Sequence, residues 1–251
     1  MIRQLPGASV DYSMFERATL IGKILRFPLD LIPSEREVRI VCGPLRGKKW
    51  IIGAGPHAYW TGTYEVGQLK RFASAIRPGD CIYDVGANVG LYSLLACEKG
   101  GPLAKVYSFE PLERNLRYLR RHVALNSLNQ CYVKEAAVLD YVGVARFSAA
   151  SWGHSMCRVS PDGEIIVPTI TLDDSIFQKK EMPPPDVIKI DVEGAEFRVL
   201  SGAARTLSEF HPRLFVEVHG VQEHSDCHEF LVAKGYHIED EYGRITATWN
   251  L

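Results

Sequence analysis

Residues 81–90, CIYDVGANVG, decide the fold class of this chain. The apolar first half of this stretch predicts a buried strand, and the glycine-bearing second half predicts a tight turn into a helix over about 89–98. A strand, a tight glycine turn and a helix form the opening unit of a parallel sheet that is covered by helices. The rest of the chain should therefore alternate strands with helices.

That alternation continues toward the C-terminus. Pro111 stands at the start of a helical pattern of about four turns, and a later helix is predicted over about 224–234. Apolar runs predict further strands at 105–109, 131–133, 187–190 and 214–218, and a closing hairpin at 236–239 and 245–249. Together these elements predict an α/β fold with a doubly wound, mostly parallel sheet.

Two regions lie outside the alternation. Residues 1–75 are predicted to form a cover, which consists of a helix, a β-hairpin near 38–52 and a second helix over about 64–76. The core is then expected to span 76–251, with an edge insertion at about 141–170 that borders the site. Serine, glycine and proline separate short β-like pieces within this insertion.

The composition is that of an ordinary globular protein and excludes several functions. Of the 251 residues, 46% are hydrophobic and 24% charged, and the net charge of −1 carries no basic excess for binding nucleic acid. The six cysteines are dispersed, which argues against disulfides and structural zinc. Charges interrupt the apolar positions near the N-terminus, so no membrane segment is predicted and the cytoplasm is the expected location. The oligomeric state is left open.

The turn after the first strand has the form DxGxNxG. Gly86 should allow a close backbone approach to a ligand, and Gly90 should let the following helix pack closely. Asn88 occupies the position of the second glycine in the dinucleotide fingerprint, which disfavours NAD and FAD. Asp84 would repel a phosphate but suits a cationic ligand. A plain structural turn is the competing explanation.

Glu110 ends the second strand, where an acidic residue can accept hydrogen bonds from both hydroxyls of a ribose. Its competing explanation is a carboxylate that stabilises the helix beginning at Pro111. Because Asp84 and Glu110 stand at adjacent strand ends, they favour a ligand that consists of a nucleoside with an amino-acid tail. S-adenosylmethionine is such a molecule, and Pro111 is expected beside it.

Four stretches of the chain carry a resemblance to a known family: DVGANVG (84–90), FEP (109–111), IKIDVEGAE (188–196) with VLSG (199–202), and the lead-in YWTGTYE (59–65). In these stretches the sequence resembles the FkbM-family methyltransferases. It covers about residues 37–220 and implies a class I methyltransferase fold, which is Rossmann-like, with seven strands of which the last is antiparallel. It also implies methylation of hydroxyl groups on sugars or on natural products such as polyketides. Residues 1–36 and 149–164 stay outside it, so the substrate is open.

Several further residues are expected at the cofactor. Aromatic rings stabilise a sulfonium by cation–π contacts, which suggests Tyr59, Trp60 and Tyr64, with Glu65 beside them. A role as core or lid anchors is equally compatible with these aromatic residues. Glu135, at the end of the third strand, could bind the adenine amino group, with Ala136 leaving room for the ring. Surface exposure is the alternative for Glu135.

The acceptor must lose a proton when it is methylated. Asp191 and His219 end neighbouring strands, and either could be the base, with Glu193 and Glu196 orienting the acceptor. His154 and His57 are alternative bases, and His154, Glu196, Tyr59 and Trp60 are expected near the substrate. Lys189 and Glu217 are predicted to form an ion pair that holds the strand register.

Three alternatives stay open from the sequence. Asp191, Glu193 and His219 could bind Mg²⁺, so a metal-assisted O-methyltransferase is possible, although no spacing is diagnostic. Methylation of nitrogen or nucleic acid lacks its usual signature, an Asn/Asp-Pro-Pro-Tyr type motif after strand four. A cofactor-binding module without catalysis is the third alternative. The leading hypothesis is O-methylation of a small hydroxylated metabolite.

Overall fold

The computed structural model describes residue 29 and residues 31–149, 157–241 and 243–249; the side chains of residues 149, 157 and 158 are not described. The predicted first helix and His154 lie outside this described part of the chain. Within it, no helix is both long enough and apolar enough to cross a membrane.

A seven-stranded sheet forms the centre of the molecule and confirms the predicted α/β class. Its strands are β3 (Cys81–Val85), β4 (Lys105–Phe109), β5 (Cys131–Lys134), β10 (Val187–Ile190), β11 (Arg213–Glu217), β12 (Tyr236–Glu241) and β13 (Arg244–Trp249). Their spatial order is β12-β13-β11-β10-β3-β4-β5, and β13, the last strand of the chain, is antiparallel to both neighbours.

Helices cover both faces of this sheet, because its central strands are apolar on both sides. In β3, Ile82 packs with the helices of one face, whereas Tyr83 and Val85 pack with those of the other. The first face carries α2 (Val66–Ala75), α3 (Leu91–Gly100) and α4 (Glu113–Leu125). The second carries α5 (Glu196–Ser201), α6 (Ala204–Phe210) and α7 (Val221–Ala233). The sheet is therefore doubly wound, as the sequence predicts.

The N-terminal cover contains the predicted hairpin, with β1 (Glu37–Arg39) antiparallel to β2 (Lys49–Ile51), and a short helix α1 (His57–Thr61). Trp50 of β2 stacks on His122 of α4 at a ring-centroid distance of 3.8 Å. His122 Nε2 accepts the N–H of Ile51 at 3.0 Å, and burial lowers the pKa of His122 to about 4. A neutral imidazole therefore fastens the hairpin to the core. The division of the chain at residues 75/76 stays a prediction.

The insertion forms a second sheet, with strands β6 (Ala137–Val138), β7 (Gly143–Ala149), β8 (Cys157–Val159) and β9 (Ile165–Ile170). Their spatial order is β6-β9-β7-β8. Phe147 and Val167 of this sheet pack with Leu112 and Ala195, which follow β4 and β10 respectively. The second sheet is thereby fixed beside the carboxyl edge of the first.

Candidate functional site

A cavity opens at the carboxyl ends of β3, β4, β5 and β10, where ligands bind in open α/β sheets. It encloses about 640 Å³, including its open mouth. Phe147 and Val159 of the second sheet form part of its wall. Seven of the residues expected from the sequence line it: Gly86, Asn88, Glu110, Pro111, Ala136, Asp191 and Glu193.

Glu110 is buried in the cavity wall and held by three donors. Its Oε2 accepts the N–H of Asn88 at 2.9 Å, and its Oε1 accepts the N–H of Leu112 at 2.9 Å and the Nδ2 of Asn115 at 3.3 Å. Burial raises the pKa of Glu110 to about 7, although these bonds favour the charged form. The carboxylate is thus held in one orientation with lone pairs left for a ligand.

The two glycines of the turn make room for protein atoms. Gly86 has φ of 78°, and a Cβ there would stand 1.9 Å from the carbonyl oxygen of Asp191. A Cβ on Gly90 would stand 2.6 Å from Leu119 of α4. The close approach at Gly86 is therefore to the loop after β10, and Gly90 serves helix packing against a neighbouring helix.

Asp84 lies beneath the cavity and does not line it. Its side chain is fully buried, and its Oδ2 accepts a hydrogen bond from Ser93 Oγ at 2.6 Å. Its Oδ1 lies 3.8 Å from the ammonium of Lys189, which in turn lies 3.1 Å from Oδ2 of Asp191. Asp84 is not among the residues that line the cavity, and its expected direct contact with a ligand stays a prediction.

The predicted ion pair between Lys189 and Glu217 is wrong. The register pairs Lys189 with Phe215, so Glu217 lies two residues further along β11. Glu217 instead binds Arg244 of β13 at 3.0 Å, and Arg244 also binds Glu65. Lys189 turns to the two aspartates because its direct neighbour on β3 is Asp84.

The aromatic residues of the lead-in are not among the residues that line the cavity, although Tyr59 and Tyr64 lie close enough to Asp191 to interact with its charge. Tyr59 and Tyr64 meet edge to face at 4.6 Å. Burial, together with Tyr59, Glu65 and Asp191, raises the pKa of Tyr64. Trp60 is buried and donates its indole N–H to Nδ1 of His57 at 3.0 Å. Both Trp60 and His57 are thereby fixed within the cover.

His219 is held between two glutamates. Its Nδ1 lies 3.0 Å from Oε1 of Glu196, a fully buried side chain, and its Nε2 lies 3.7 Å from Oε2 of Glu193. The hydrogen bond with Glu196 raises the pKa of His219 to about 9 against the effect of burial, and Glu193 and Asp191 add to the rise. At neutral pH the imidazole therefore keeps its proton, which weakens its candidacy as the base.

Asp191, Glu193 and His219 offer atoms within 4.8 Å of one another that could hold a metal ion. Each member of this group has a charge partner within the protein, because His219 pairs with Glu193 and Asp191 pairs with Lys189. Mg²⁺ stays a prediction. Glu135, which was expected to bind the adenine amino group, is exposed and paired with Arg120. Its side chain therefore lies on the surface of the protein.

Two groups of residues beside the cavity are not among those predicted from the sequence. Asn115 holds Glu110, and its place on the first turn of the helix after Glu110 was an available signal. Phe147 and Val159 line the cavity from the second sheet, and no local pattern could have assigned them, because their position depends on how that sheet packs.

The fold and the position of the cavity define a class I methyltransferase-like α/β protein. The model of the methyltransferase FkbM domain matches residues 84–238, more than half of the chain, and the protein belongs to this family. The resemblance inferred from the sequence is confirmed.

Three relatives illustrate the similarity. The hexuronic acid methyltransferase AglP of Haloferax volcanii is 28% identical over 61% of this chain and 61% of its own length. The 31-O-demethyl-FK506 methyltransferase FkbM of Streptomyces tacrolimicus is 27% identical over 60% of this chain and 70% of its own length. The crystal structure of methyltransferase FkbM from Methylobacillus flagellatus KT has a TM-score of 0.51 and 20% identity, covering 77% of this chain and 53% of that one. This chain therefore spans less than two thirds of the AglP and Methylobacillus flagellatus proteins.

Proposed function

We propose that this protein is an S-adenosylmethionine-dependent methyltransferase that methylates a hydroxyl group of a small, uncharged metabolite. The observation that carries the proposal is the charge of the cavity. Glu110, Asp191 and Glu193 line it, and the lining residues identified in the described part of the chain include no lysine, arginine or histidine. Such a site attracts a cation and repels phosphates.

The cofactor fits this charge pattern because it carries a sulfonium and an ammonium group against one carboxylate. Glu110 is proposed to accept the ribose hydroxyls, since its orientation is fixed by Asn88, Leu112 and Asn115. The small side chain of Ala136 leaves space for the adenine ring. The pattern disfavours a dinucleotide, whose pyrophosphate would meet the carboxylates without a cation to bind it.

Transfer moves the methyl group from sulfur to the acceptor oxygen, while sulfur keeps the electron pair of the broken bond. The hydroxyl proton must pass to a base, and we propose Asp191 because it lines the cavity as a carboxylate. His219 is proposed to hold Glu193 in place rather than to take the proton, because its imidazole already carries a proton at neutral pH.

An uncharged acceptor is proposed because three cations near Asp191 and Glu193, in the part of the chain that the structure describes, each already have two carboxylate partners. A free cation would be needed to bind an acidic sugar. The three sets are Lys189 with Asp84 and Asp191, Arg244 with Glu65 and Glu217, and His219 with Glu193 and Glu196. The names of the relatives include both acceptor classes, a hexuronic acid and the hydroxyl-bearing 31-O-demethyl-FK506.

The test is transfer of a labelled methyl group to a panel of acceptors: neutral hexosides, their uronic-acid counterparts and hydroxylated polyketides. Transfer to a neutral hydroxyl is expected, and Asp191→Asn should reduce transfer much more than cofactor binding. Binding without transfer to any acceptor would favour the non-catalytic module. A wild-type protein that binds no S-adenosylmethionine would rule out both.

A further inference from the structure

A second cavity lies on the first face of the sheet, between α2 and the strands β10, β11 and β13. It encloses about 360 Å³, including its open mouth. This volume falls within the range of about 300–1,000 Å³ that is typical of small-molecule sites. Three aromatic side chains contribute to its apolar wall: Phe72, Tyr92 and Phe215. Four polar side chains also line it: Gln68, Glu217, Arg244 and Thr246.

One ion pair separates the second cavity from the cavity proposed for the cofactor. Lys189 lines the second cavity and Asp191 lines the first, and Nζ of Lys189 lies 3.1 Å from Oδ2 of Asp191. The second cavity reaches the carboxyl edge of the sheet at Glu217, the last residue of β11, which register pairs with Arg244. A molecule in the second cavity can therefore present a hydroxyl beside Asp191 while the cofactor occupies the first.

The charges on the wall of the second cavity determine which molecules it suits. Arg244 binds Glu217 at 3.0 Å and also binds Glu65 of the cover. Two carboxylates around one guanidinium give this end of the cavity a net negative charge. Lys189 does not reverse this balance, because it also has two carboxylate partners. Carboxylate oxygens accept hydrogen bonds from hydroxyl groups and repel another carboxylate.

We propose that the second cavity binds the acceptor, and that Glu65 and Glu217 make it selective for an uncharged hexoside by neutralising Arg244. This inference rests on the proposed function and deepens it by naming the acceptor site and the residues that set its specificity. A sugar ring matches both kinds of wall. Its C–H face packs on the aromatic side chains, and its hydroxyls bind Gln68, Glu217 and Thr246.

The first test measures acceptor selectivity. Transfer of a labelled methyl group is measured with methyl glucoside and with methyl glucuronide, which carries a carboxylate in place of the C6 hydroxymethyl group. Wild type is expected to have the higher kcat/KM for the glucoside. Glu217→Gln leaves Arg244 with one carboxylate, so the ratio of kcat/KM for the glucuronide to that for the glucoside should rise about tenfold or more. If Glu217→Gln does not fold, Glu65→Gln removes the other partner of Arg244 and carries the same expectation.

A charge control accompanies this test. Glu209→Gln also removes a carboxylate that pairs with an arginine, but this pair, with Arg205, lies exposed on α6. Its ratio of kcat/KM should equal that of wild type. A wild type that prefers the glucuronide, or a ratio that does not change in Glu217→Gln, would overturn the specificity assigned to Glu65 and Glu217.

The second test fills the cavity. Thr246→Phe places a ring in it and should raise the KM for the glucoside about tenfold or more. The Kd for S-adenosylhomocysteine, measured by calorimetry, should stay unchanged in this variant. Thr248→Phe is the matched control, because Thr248 lies two residues further along β13 and is not among the residues that line the second cavity. An unchanged KM in Thr246→Phe, or an equal rise in Thr248→Phe, would overturn the acceptor site.

A third readout does not require turnover. Threonine-methyl NMR, with Thr246 assigned through Thr246→Ser, follows a titration with methyl glucoside in the presence and absence of S-adenosylhomocysteine. The Thr246 signal should shift while the Thr248 signal does not. Absence of a shift at Thr246 would overturn the inference. Failure of wild type to bind S-adenosylhomocysteine would instead reject the proposed function, and the titration without it would still decide whether the second cavity binds a glycoside.

Discussion

The protonated state of His219 makes a prediction about stability and pH. The pKa of this imidazole rises from about 6.5 to about 9 on folding, chiefly through its hydrogen bond with the buried Glu196. A shift of that size corresponds to about 3 kcal/mol of stabilisation, at about 1.4 kcal/mol for each unit. Because the folded pKa is raised, this contribution is complete below about pH 6.5 and is lost as pH rises through about 9.

The assay is urea unfolding of wild type and His219→Gln at pH 6.5, 8 and 9.5. The difference in unfolding free energy between the two proteins should shrink by about 3 kcal/mol across this range, since other titrating groups are common to both. An NMR titration of the His219 ring should have its midpoint near 9, and Glu196→Gln should move that midpoint toward 6.5. A midpoint at or below 6.5 in wild type, or a stability difference that does not change with pH, would refute the reasoning.

Three further predictions concern the cavity. Because the pKa of Glu110 is about 7, the affinity for S-adenosylmethionine should weaken in calorimetry as pH falls from 8 to 6, whereas Glu110→Gln should bind weakly with little pH dependence. Gly86→Ala should lower the unfolding free energy, measured with urea, by about 2 kcal/mol or more, because the new Cβ would clash with the carbonyl of Asp191. The control is Gly67→Ala in α2, where the new Cβ has open space, and it should raise the unfolding free energy by up to about 1 kcal/mol. Methyl transfer, measured with labelled cofactor, should survive exhaustive chelation, because His219 pairs with Glu193 and Asp191 pairs with Lys189, so these groups have charge partners without a metal. Loss of transfer on chelation, with recovery on adding Mg²⁺, would establish the metal-assisted alternative.

Much of the fold could be predicted because local signals agree with tertiary structure. The predicted strands at 105–109 and 187–190 match β4 and β10, since each is a short apolar run ended by an acidic residue. The helix after Pro111 also follows its apolar spacing, and the closing hairpin is confirmed. In each case one short stretch of sequence contains both the element and its boundary.

The partners of charged side chains could not be predicted in the same way. Strand order and register place Lys189 beside Asp84, and those follow from packing of the whole sheet rather than from residues near position 189. The hydrogen bond of His219 likewise depends on Glu196, which lies 23 positions earlier in the sequence. The sequence placed Glu110, Asp191 and His219 just after strands of the sheet, where the structure also has them, but it did not show which of them line the cavity.

The proposed function depends most directly on whether the carboxylate-lined cavity binds the methyl donor. Calorimetric titration of wild type and Glu110→Gln at pH 7.5 with S-adenosylhomocysteine, the demethylated product, tests this. One molecule should bind per wild-type chain, at least tenfold more tightly than to Glu110→Gln. Absence of binding to wild type, or equal affinity in the two proteins, would contradict the assignment of this cavity as the cofactor site.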